Sequence, residues 1–362
     1  MREIRISLIS ITIILICIGV VMIFSSSCVY ALQQLGNSAY FLIRHLLFLF
    51  FGLIFVILTM SMDSHQLKKF SKIFLLIGIL LLIAVLIPGI GKESYGARRW
   101  FKLWIFSFQP SEFVKIAMLI YAADYLSRKQ NKIKNFLKGF LPLVIVLGAV
   151  CLLILKEPDL GTSVFLAVVI LLMMLVAGVR VLHVGFLALL ALPVIYFLIA
   201  KVPYRLARIM AFLNPWEDSQ GIGFQLSQSQ IALGSGGVFG VGLGKSIQKL
   251  FYLPAAHTDF IFSIIGEELG LIVTLTVIIL FLLFIWQGAR IVKRTTDGFG
   301  YLLGAGIVIM IGLQAVINIG VSIGALPTKG LPLPFISYGG SALIANMLAV
   351  GLLLNISRME ET

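Results

Sequence analysis

Three carboxylates lie beside or within one long apolar segment of this chain of 362 residues. Asp259 stands at the start of the segment, and Glu267 and Glu268 follow about two helical turns later. A charged side chain deep in a bilayer costs roughly 3 kcal/mol even on the mildest scale, so an acid in such a place indicates a functional site. Asp259 is the best candidate for a general base, because burial among its apolar neighbours would raise its pKa.

Each acid also has a structural interpretation. Asp259, or Thr258 before it, could cap the N-terminus of the helix that follows. Successive helical residues point about 100° apart, so Glu267 and Glu268 cannot both face one cavity. We therefore expect a structural role for this pair, with one of the two acids paired with a cation or polar group inside the protein.

Basic residues in two irregular segments could hold an anion. Lys329 suits a diphosphate or an ion pair with Asp259, although it could also be a solvated loop lysine. Arg98 and Arg99 offer planar guanidinium groups for phosphate oxygens. Neighbouring loop residues rarely both face one ligand, so we expect one of these arginines to be structural.

Three further polar residues interrupt or border apolar segments. Glu112 and Lys115 are three residues apart and can pair on one helix face. Such a pair is costly in a membrane unless it lines something polar. Asp159 could be the N-cap of the following helix or part of the site, and the sequence leaves both roles open.

The composition indicates which kind of protein must position these residues. Hydrophobic residues make up 60% of the chain and charged residues only 12%, with a mean hydropathy of +1.08. Long apolar runs with so little charge predict an all-α integral membrane protein rather than a barrel of short alternating strands. The three cysteines are scattered and odd in number, so no disulfide framework is expected.

About ten transmembrane helices are predicted, each within the length range that a bilayer allows. They form a single polytopic domain over residues 1–362, with a large extracytoplasmic loop, 201–259, between helices seven and eight. The predicted spans are 6–26, 43–62, 72–89, 112–127, 139–155, 162–179, 184–200, 260–286, 301–323 and 335–356.

Loop charges predict the orientation. Slightly more than half of the 28 Lys and Arg residues fall at the termini and in the alternate loops that include 128–138 and 290–294. The positive-inside rule places those loops and both termini in the cytoplasm. The outer face remains rich in Lys and Arg, which suits an anionic ligand such as a lipid diphosphate or simple contact with anionic lipid headgroups.

The unusual sequence lies on the predicted outer side. Pro203–Leu213 has the pattern of an interfacial amphipathic helix, and 234–244 is rich in glycine. Segment 324–341 contains too many prolines and glycines for a regular helix. Irregular backbone at membrane depth is tolerated only when buried in protein or lining a cavity, so a cavity open to the outer face is expected.

Several motifs are excluded. Gly244-Lys245-Ser246 resembles the end of a phosphate-binding loop, but Phe239 stands where that loop needs glycine. The four histidines are too dispersed for a zinc site. Acids beside a diphosphate are compatible with a divalent cation, although no ligand set is defined and no cofactor is certain. No feature of the chain suggests nucleic-acid binding.

Four segments together resemble the SEDS family (shape, elongation, division and sporulation), the polytopic glycan polymerases of bacterial cell walls. They are Gly96-Ala97-Arg98-Arg99-Trp100, Phe108-Gln109-Pro110-Ser111-Glu112 with Lys115, residues 251–270, and the stretch from Asn318 to Ser341. The resemblance spans essentially the whole chain. Residues 248–254 and 327–330 are closer to the division-type members than to the elongation type, and the sporulation type is also close. Leu103-Trp104-Ile105-Phe106 departs from the family, where a Gly-Pro pair is expected.

The resemblance implies polymerisation of lipid II into β-1,4 glycan strands on the outer face of the bacterial cytoplasmic membrane, with inversion at the donor sugar and release of undecaprenyl diphosphate. It implies Asp259 as the catalytic aspartate, with substrate-binding roles for the other candidates. These are Lys329, Arg98, Arg99, Glu112, Lys115, Asp159 and Ser341. The implied partners are a class B penicillin-binding protein, which is a transpeptidase, and other division proteins.

Two other functions fit parts of the sequence. A flippase for lipid-linked precursor would also need a polar cavity with basic residues, but would typically show internal repeats, and none is evident. A scaffold for division proteins would not explain the buried acids. For the transpeptidase contact, small residues at Gly304 and Gly306 in helix nine could admit a partner helix or could pack only within the bundle.

Overall fold

The structure is a computed structural model and describes residues 1–62, 64–94, 97–103, 106–218 and 221–360. Twelve α-helices account for most of the described chain. Their bounds are α1 Arg2–Leu35, α2 Tyr40–Ser61, α3 Ser64–Leu86, α4 Pro110–Arg128, α5 Leu141–Lys156, α6 Leu160–Val176, α7 Val181–Ala200, α8 Pro203–Leu213, α9 Phe224–Ser235, α10 Ile261–Arg294, α11 Gly298–Ser322 and α12 Gly340–Met359.

A helix lies at each of the ten predicted spans. Among the described residues, eight helices are long and apolar enough to cross a membrane, and α6 is a shorter apolar helix. The tenth, α4, carries the charged residues Glu112, Lys115 and Asp124, all of which are buried inside the protein. The all-α membrane fold is thus confirmed, and the protein is a multi-pass membrane protein.

The helices differ in how they are buried. Helices α4, α11 and α12 form the centre of the bundle, with most of their side chains inside. Helix α7 lies at the periphery, and none of its residues is buried. The polar residues of α4 are therefore surrounded by other helices. Facing the interior of the bundle reduces the free-energy cost of placing charged side chains within a membrane.

The connection between α3 and α4 forms a small antiparallel sheet that the helical prediction did not include. Its strands are β1 Lys92–Ser94, β2 Ala97–Leu103 and β3 Phe106–Phe108. Gly96, which carried part of the family resemblance, and Trp104 and Ile105, in the segment that departs from it, lie outside the described residues. The sheet leads directly into α4 and so fixes where that helix begins.

The glycine-rich segment after α9 packs into a break in α10. Gly270 has a φ of 75°, a conformation that favours glycine. At the break, the backbone N–H groups of Val241 and Gly242 donate to the carbonyls of Glu267 and Glu268, at 2.9 and 3.0 Å. This glycine-rich segment therefore packs into the bundle, and its backbone N–H groups at the break are satisfied by protein.

One predicted bound is wrong, and one pair of alternatives is decided. Helix α12 begins at Gly340, about one turn later than predicted, because residues 327–339 form turns and irregular backbone. Gly304 and Gly306 do not offer a lipid-facing surface. An added Cβ at Gly304 would stand 3.1 Å from Val292 of α10, and one at Gly306 would stand 2.7 Å from Met173 of α6. Both glycines permit close packing within the bundle.

The amphipathic helix is found where it was predicted, over Pro203–Leu213. Helix α9 was not predicted, because its many polar residues obscure the apolar pattern in the sequence. In the structure, the helix packs on α10. Its serines pair inside the protein: the Ser229 hydroxyl lies 2.6 Å from that of Ser263 and donates to the Ser322 carbonyl at 2.8 Å.

Candidate active site

Asp259 lies in a tight turn just before α10. The N–H groups of Thr258 and Asp259 both donate to the carbonyl of Ala255, at 3.0 and 3.1 Å. Ala255 has a φ of 58°, which is strained for a residue with a side chain. The Asn318 amide donates to the carbonyls of Asp259 and Leu331, at 2.9 and 2.8 Å, and so ties this turn to the irregular segment before α12.

The Asp259 carboxylate is partly buried, and no described side chain donates a hydrogen bond to it. Burial raises its pKa to about 6, and the Arg208 guanidinium opposes the rise. A Cβ added at Gly330 would stand 3.1 Å from the Oδ2 atom of Asp259, so a glycine at this position avoids a close contact with the carboxylate. The N-cap residue of α10 is Phe260, and within the described residues no side chain caps this helix. Asp259 is thus free to act on a substrate.

Lys329, next to Gly330, is packed rather than solvated. Its aliphatic stem lies against α6, where an added Cβ at Gly161 would collide with Cε at 2.4 Å. Its ammonium stands 5.2 Å from the centre of the Phe165 ring. Burial lowers its pKa to about 7; the Lys115 charge adds to this and the Asp159 charge opposes it. An anion beside Lys329 would therefore restore its full charge.

Glu112, Lys115 and Asp159 lie around Lys329 but are partly committed to the protein. The Lys115 ammonium is 2.8 Å from a Glu112 carboxylate oxygen, and both side chains are buried. The same ammonium is 5.4 Å from the Phe165 ring, on which Lys329 also stands. Asp159 accepts hydrogen bonds from the Thr162 N–H and hydroxyl, both at 2.9 Å, and is therefore the N-cap of α6. It also supplies negative charge beside Lys329.

Arg99 acts as a clamp on the connection between α5 and α6. Its guanidinium donates to the carbonyls of Glu157 and Pro158, at 2.8 and 2.6 Å. Pro158 has an unusual φ of 34°. Within the predicted pair of arginines, Arg99 thus has a structural role, and Arg98 is its neighbour on β2.

Glu157, in the clamped connection, was not predicted as a site residue. Its side chain is fully buried, and neither carboxyl oxygen has a hydrogen-bond partner among the described residues. Burial raises its pKa to about 8; the Asp159 charge adds to the rise and Arg99 opposes it. Glu157 is therefore mostly protonated at neutral pH and does not cancel the charge of nearby cations.

Ser341 joins two segments at the start of α12. Its hydroxyl donates to the Ser107 carbonyl at 3.2 Å and accepts from the Gln109 N–H at 3.0 Å. These bonds hold α12 to the junction of β3 and α4. Ser341 is thus not brought to Asp259 by any described contact.

His257, two residues before Asp259, packs among aromatic rings. The ring centres of His257 and Phe41 are 4.6 Å apart, and Tyr338 is 5.8 Å away. Burial lowers its pKa to about 4, so the imidazole is neutral at physiological pH. Its carbonyl accepts from the Tyr338 N–H at 2.9 Å, which adds a second tie between the Asp259 turn and the irregular segment.

Glu267 and Glu268 form a separate, fully paired network. Glu268 is 2.7 Å from the Lys249 ammonium and accepts from the Ser25 hydroxyl at 2.6 Å. Glu267 accepts from the Ile247 N–H at 2.9 Å and from the Ser246 hydroxyl. The structural role expected for this pair is therefore what the contacts show, with Lys249 as the paired cation.

Three residues of the site carried little signal in the sequence. Arg208 was one of several outer cations, and the pattern of α8 alone did not point it at Asp259. Phe165 is one aromatic residue in an apolar helix, where core packing is the ordinary expectation. Asn318 was noticed only for its part in the family resemblance. Within the described parts of the chain, no group of three or more His, Cys, Asp and Glu residues could hold a metal ion.

Comparisons with known proteins identify the family. A family model described as a cell cycle protein, covering FtsW, RodA and SpoVE, matches residues 5–362. The chain belongs to this family, which is the SEDS family that the sequence resembled.

Its relatives include proteins of division and of sporulation. The chain is 46% identical over 349 residues to the probable peptidoglycan glycosyltransferase FtsW of Geobacter metallireducens, covering 96% of this chain and 93% of that protein. It is 44% identical over 351 residues to the stage V sporulation protein E of Bacillus subtilis, covering 97% and 96%.

Solved structures share the fold over the same length. A chain from a peptidoglycan synthase complex, studied for how polymerization and crosslinking are coordinated, superposes with a TM-score of 0.79 at 27% identity, covering 98% of this chain and 97% of that one. The rod shape determining protein RodA of Thermus thermophilus gives a TM-score of 0.73 at 25% identity, with the same coverage.

Proposed function

We propose that this protein is an inverting peptidoglycan glycosyltransferase that polymerises lipid II into β-1,4 glycan strands. The observation that carries the proposal is the Asp259 carboxylate, which no described side chain pairs and whose pKa is raised to about 6 by burial. The names of the relatives, among them the peptidoglycan glycosyltransferase FtsW, agree with it.

In the proposed reaction, Asp259 takes the proton from the 4-hydroxyl of the acceptor sugar. The acceptor oxygen then attacks the anomeric carbon of the donor from the face opposite the lipid diphosphate. The new C–O bond forms as the bond to the diphosphate breaks, and undecaprenyl diphosphate leaves with the bonding electrons. A base with a pKa near neutrality is both ionised and basic enough for such a step, which typically contributes 10²–10⁴-fold.

The departing diphosphate needs positive charge, which the site offers in Lys329, Lys115 and Arg208. Lys329 is the strongest candidate, since it lies beside Gly330 at the Asp259 carboxylate and no described carboxylate lies within ion-pair distance of its ammonium. Arg98 lies on β2 and remains a candidate for a phosphate contact. A divalent cation would add positive charge at the diphosphate, but among the described residues no group of three or more His, Cys, Asp and Glu residues could hold one.

We assign the protein to the division-type branch. Several relatives at 44–46% identity are named FtsW, and the residues in 248–254 and 327–330 favour the same branch. The similarity of the sporulation protein keeps sporulation as the alternative. Complementation of a strain depleted of its division polymerase, compared with one lacking its sporulation polymerase, distinguishes the two roles.

The proposed orientation places both termini in the cytoplasm and Asp259 on the outer side of the cytoplasmic membrane. Cysteines placed at Glu217 and Asn131, in a variant without the three native cysteines, test it. Impermeant maleimide added outside should label position 217 and spare position 131. Labelling of position 131 alone would show that the orientation is the reverse of the one proposed. Asp259 would then lie on the side of the membrane opposite to an outer substrate.

A class B penicillin-binding protein is the proposed partner, because the described chain offers no crosslinking chemistry and a chain from a peptidoglycan synthase complex shares the fold. With Gly304 and Gly306 inside the bundle, the lipid-facing side of α10 is the better contact for a partner helix. That side exposes Leu271, Leu275, Ile279, Leu282 and Trp286. Arg substitutions at Leu275 and Ile279 should reduce co-purification of the transpeptidase, whereas one at Leu190 of the peripheral α7 should not.

The function is tested with the purified protein, labelled lipid II and the transpeptidase. A ladder of glycan chains is expected from the wild type and none from Asp259→Asn at equal protein. Transfer of labelled lipid across liposome membranes without chain formation, unaffected by Asp259→Asn, would instead support a flippase and overturn the proposal.

A further inference from the structure

An open cavity lies at the opposite end of the bundle from Asp259, between the start of α3 and the end of α4. Its volume is about 350 Å³, at the lower end of the range for ligand clefts. Six polar residues line it: Lys68, Lys69, Ser71, Lys72, Asp124 and Arg128. The glycosyltransferase reaction proposed above uses none of them.

The one carboxylate in this lining is already satisfied. Asp124 accepts a hydrogen bond from the Ser71 hydroxyl at 2.7 Å and pairs with the Arg128 guanidinium at 2.8 Å. Asp124 and Ser71 are both buried in the cavity wall, whereas nearly half of the Arg128 side chain is exposed. The acid therefore orients the arginine at the rim and is not available to the lysines.

The three lysines leave the cavity strongly positive. Across the described ranges, no carboxylate lies within ion-pair distance of Lys68, Lys69 or Lys72. Lys69 and Lys72 are exposed and Lys68 is partly buried. All three lie near the start of α3, so their positive charges are concentrated at the opening of the cavity. Other lysines at this end, at 132, 134 and 138, are exposed on a connecting segment and do not line this cavity.

We propose that this cavity binds a phosphate-bearing anion, namely the phosphodiester headgroup of an anionic phospholipid in the adjoining leaflet. The cavity lies at the end of spanning helices, at headgroup level, where basic pockets between helices recognise such lipids. The three ammonium groups that line the cavity can donate to phosphate oxygens, and the Arg128 fork stands at the rim. The orientation proposed above makes this the cytoplasmic leaflet, but the binding itself does not depend on that assignment.

The test measures lipid retained by the full-length protein in native mass spectrometry after exchange into detergent with phosphatidylglycerol or phosphatidylcholine. Lys68→Gln, Lys69→Gln and Lys72→Gln are combined in one variant. The matched control combines Lys132→Gln, Lys134→Gln and Lys138→Gln, which removes the same charge from the same end. A third variant replaces the cavity lysines by arginine.

The wild type should retain phosphatidylglycerol in preference to phosphatidylcholine. The cavity variant should lose at least about tenfold in affinity for it, the factor expected from one lost charge-assisted hydrogen bond. The control should bind as the wild type does, and the arginine variant should recover most of the binding. Equal losses in the cavity variant and the control would show that only general charge matters, and would overturn the proposal.

Soluble competitors identify the source of the phosphate. Retention of phosphatidylglycerol against millimolar glycerol 3-phosphate supports a membrane ligand. Displacement by glycerol 3-phosphate at micromolar concentration would overturn the lipid assignment in favour of a soluble phosphate ester. Displacement by a glutamate-rich peptide, but not by phosphate esters, would instead make the cavity a docking site for an acidic protein segment.

Discussion

Two groups of charged residues near the start of α10 differ in how many of their charges are paired within the protein. Around α10, Glu268 and Lys249 pair at 2.7 Å, and Ser25 and Ser246 complete their hydrogen bonding. Two residues before the helix, the Asp259 carboxylate has no such partner among the described residues, and the Lys329 ammonium lies against the Phe165 ring.

This difference in pairing distinguishes a structural network, around Glu268, from a proposed catalytic group, Asp259. A buried, fully paired network costs much when one partner is removed, but it offers nothing to a substrate. Unpaired charges lower the stability of the empty protein and become useful only when a ligand supplies the missing partner. In the proposed reaction, the acceptor hydroxyl would be the partner of Asp259 and the lipid diphosphate that of Lys329.

Breaking the buried pair should have the largest effect on folding. Glu268→Gln leaves the Lys249 ammonium unpaired, and such losses typically cost roughly 3–5 kcal/mol. A large drop in the thermal midpoint is expected in detergent. Replacing both residues, as Glu268→Gln with Lys249→Met, should restore part of it. Full stability of the single variant would show that this network is not structural.

Removing the unpaired cation should affect donor use rather than folding. Lys329→Met keeps the stem against Gly161 and removes a charge-assisted contact to the diphosphate worth roughly 1.5–3 kcal/mol. A fall of about 10- to 100-fold in kcat/KM for lipid II is expected at an unchanged thermal midpoint. Lys102→Met, on β2, is the matched control. Unchanged kinetics in Lys329→Met would remove this lysine from the donor site.

Acid should slow the reaction through the carboxylate. The base acts when deprotonated, so activity should fall as the pH falls through about 6, the raised pKa of Asp259. At one unit below that value roughly a tenth of the carboxylate remains ionised, which predicts about a tenfold lower rate. Values of kcat/KM for lipid II between pH 5 and 8 measure this, because they report the pKa of the free enzyme. A rate that stays constant down to pH 5 would rule out a base with this pKa.

The smallest effect is expected at Ser341. Its hydroxyl is occupied by Ser107 and Gln109, so Ser341→Ala should cost about 1 kcal/mol of stability and leave the specific activity close to normal. Thermal unfolding and glycan synthesis on one preparation measure both. A loss of activity without a loss of stability would return Ser341 to the substrate-binding residues that the family resemblance implied.

The sequence predicted the spanning helices well, because membrane spans depend on length and hydropathy alone. It also placed Asp259 at the start of α10. It missed α9 and the sheet, since their polar and short segments follow no apolar period. It could not show that Asp159 caps α6 or that Arg99 clamps the connection before it, because a cap and a ligand contact use the same residue types. Glu157 escaped notice because its burial depends on helices distant in the sequence.

The most direct test of the account compares Asp259→Asn with Glu268→Gln in single-turnover glycan synthesis, with the rate expressed per folded molecule. We expect the Asp259→Asn protein to fold normally and to synthesise glycan 10²–10⁴-fold more slowly, the usual contribution of a general base. It predicts that Glu268→Gln is destabilised but polymerises at a near-normal rate where folded. A near-normal rate for Asp259→Asn, or an equal loss of rate in folded Glu268→Gln, would contradict it.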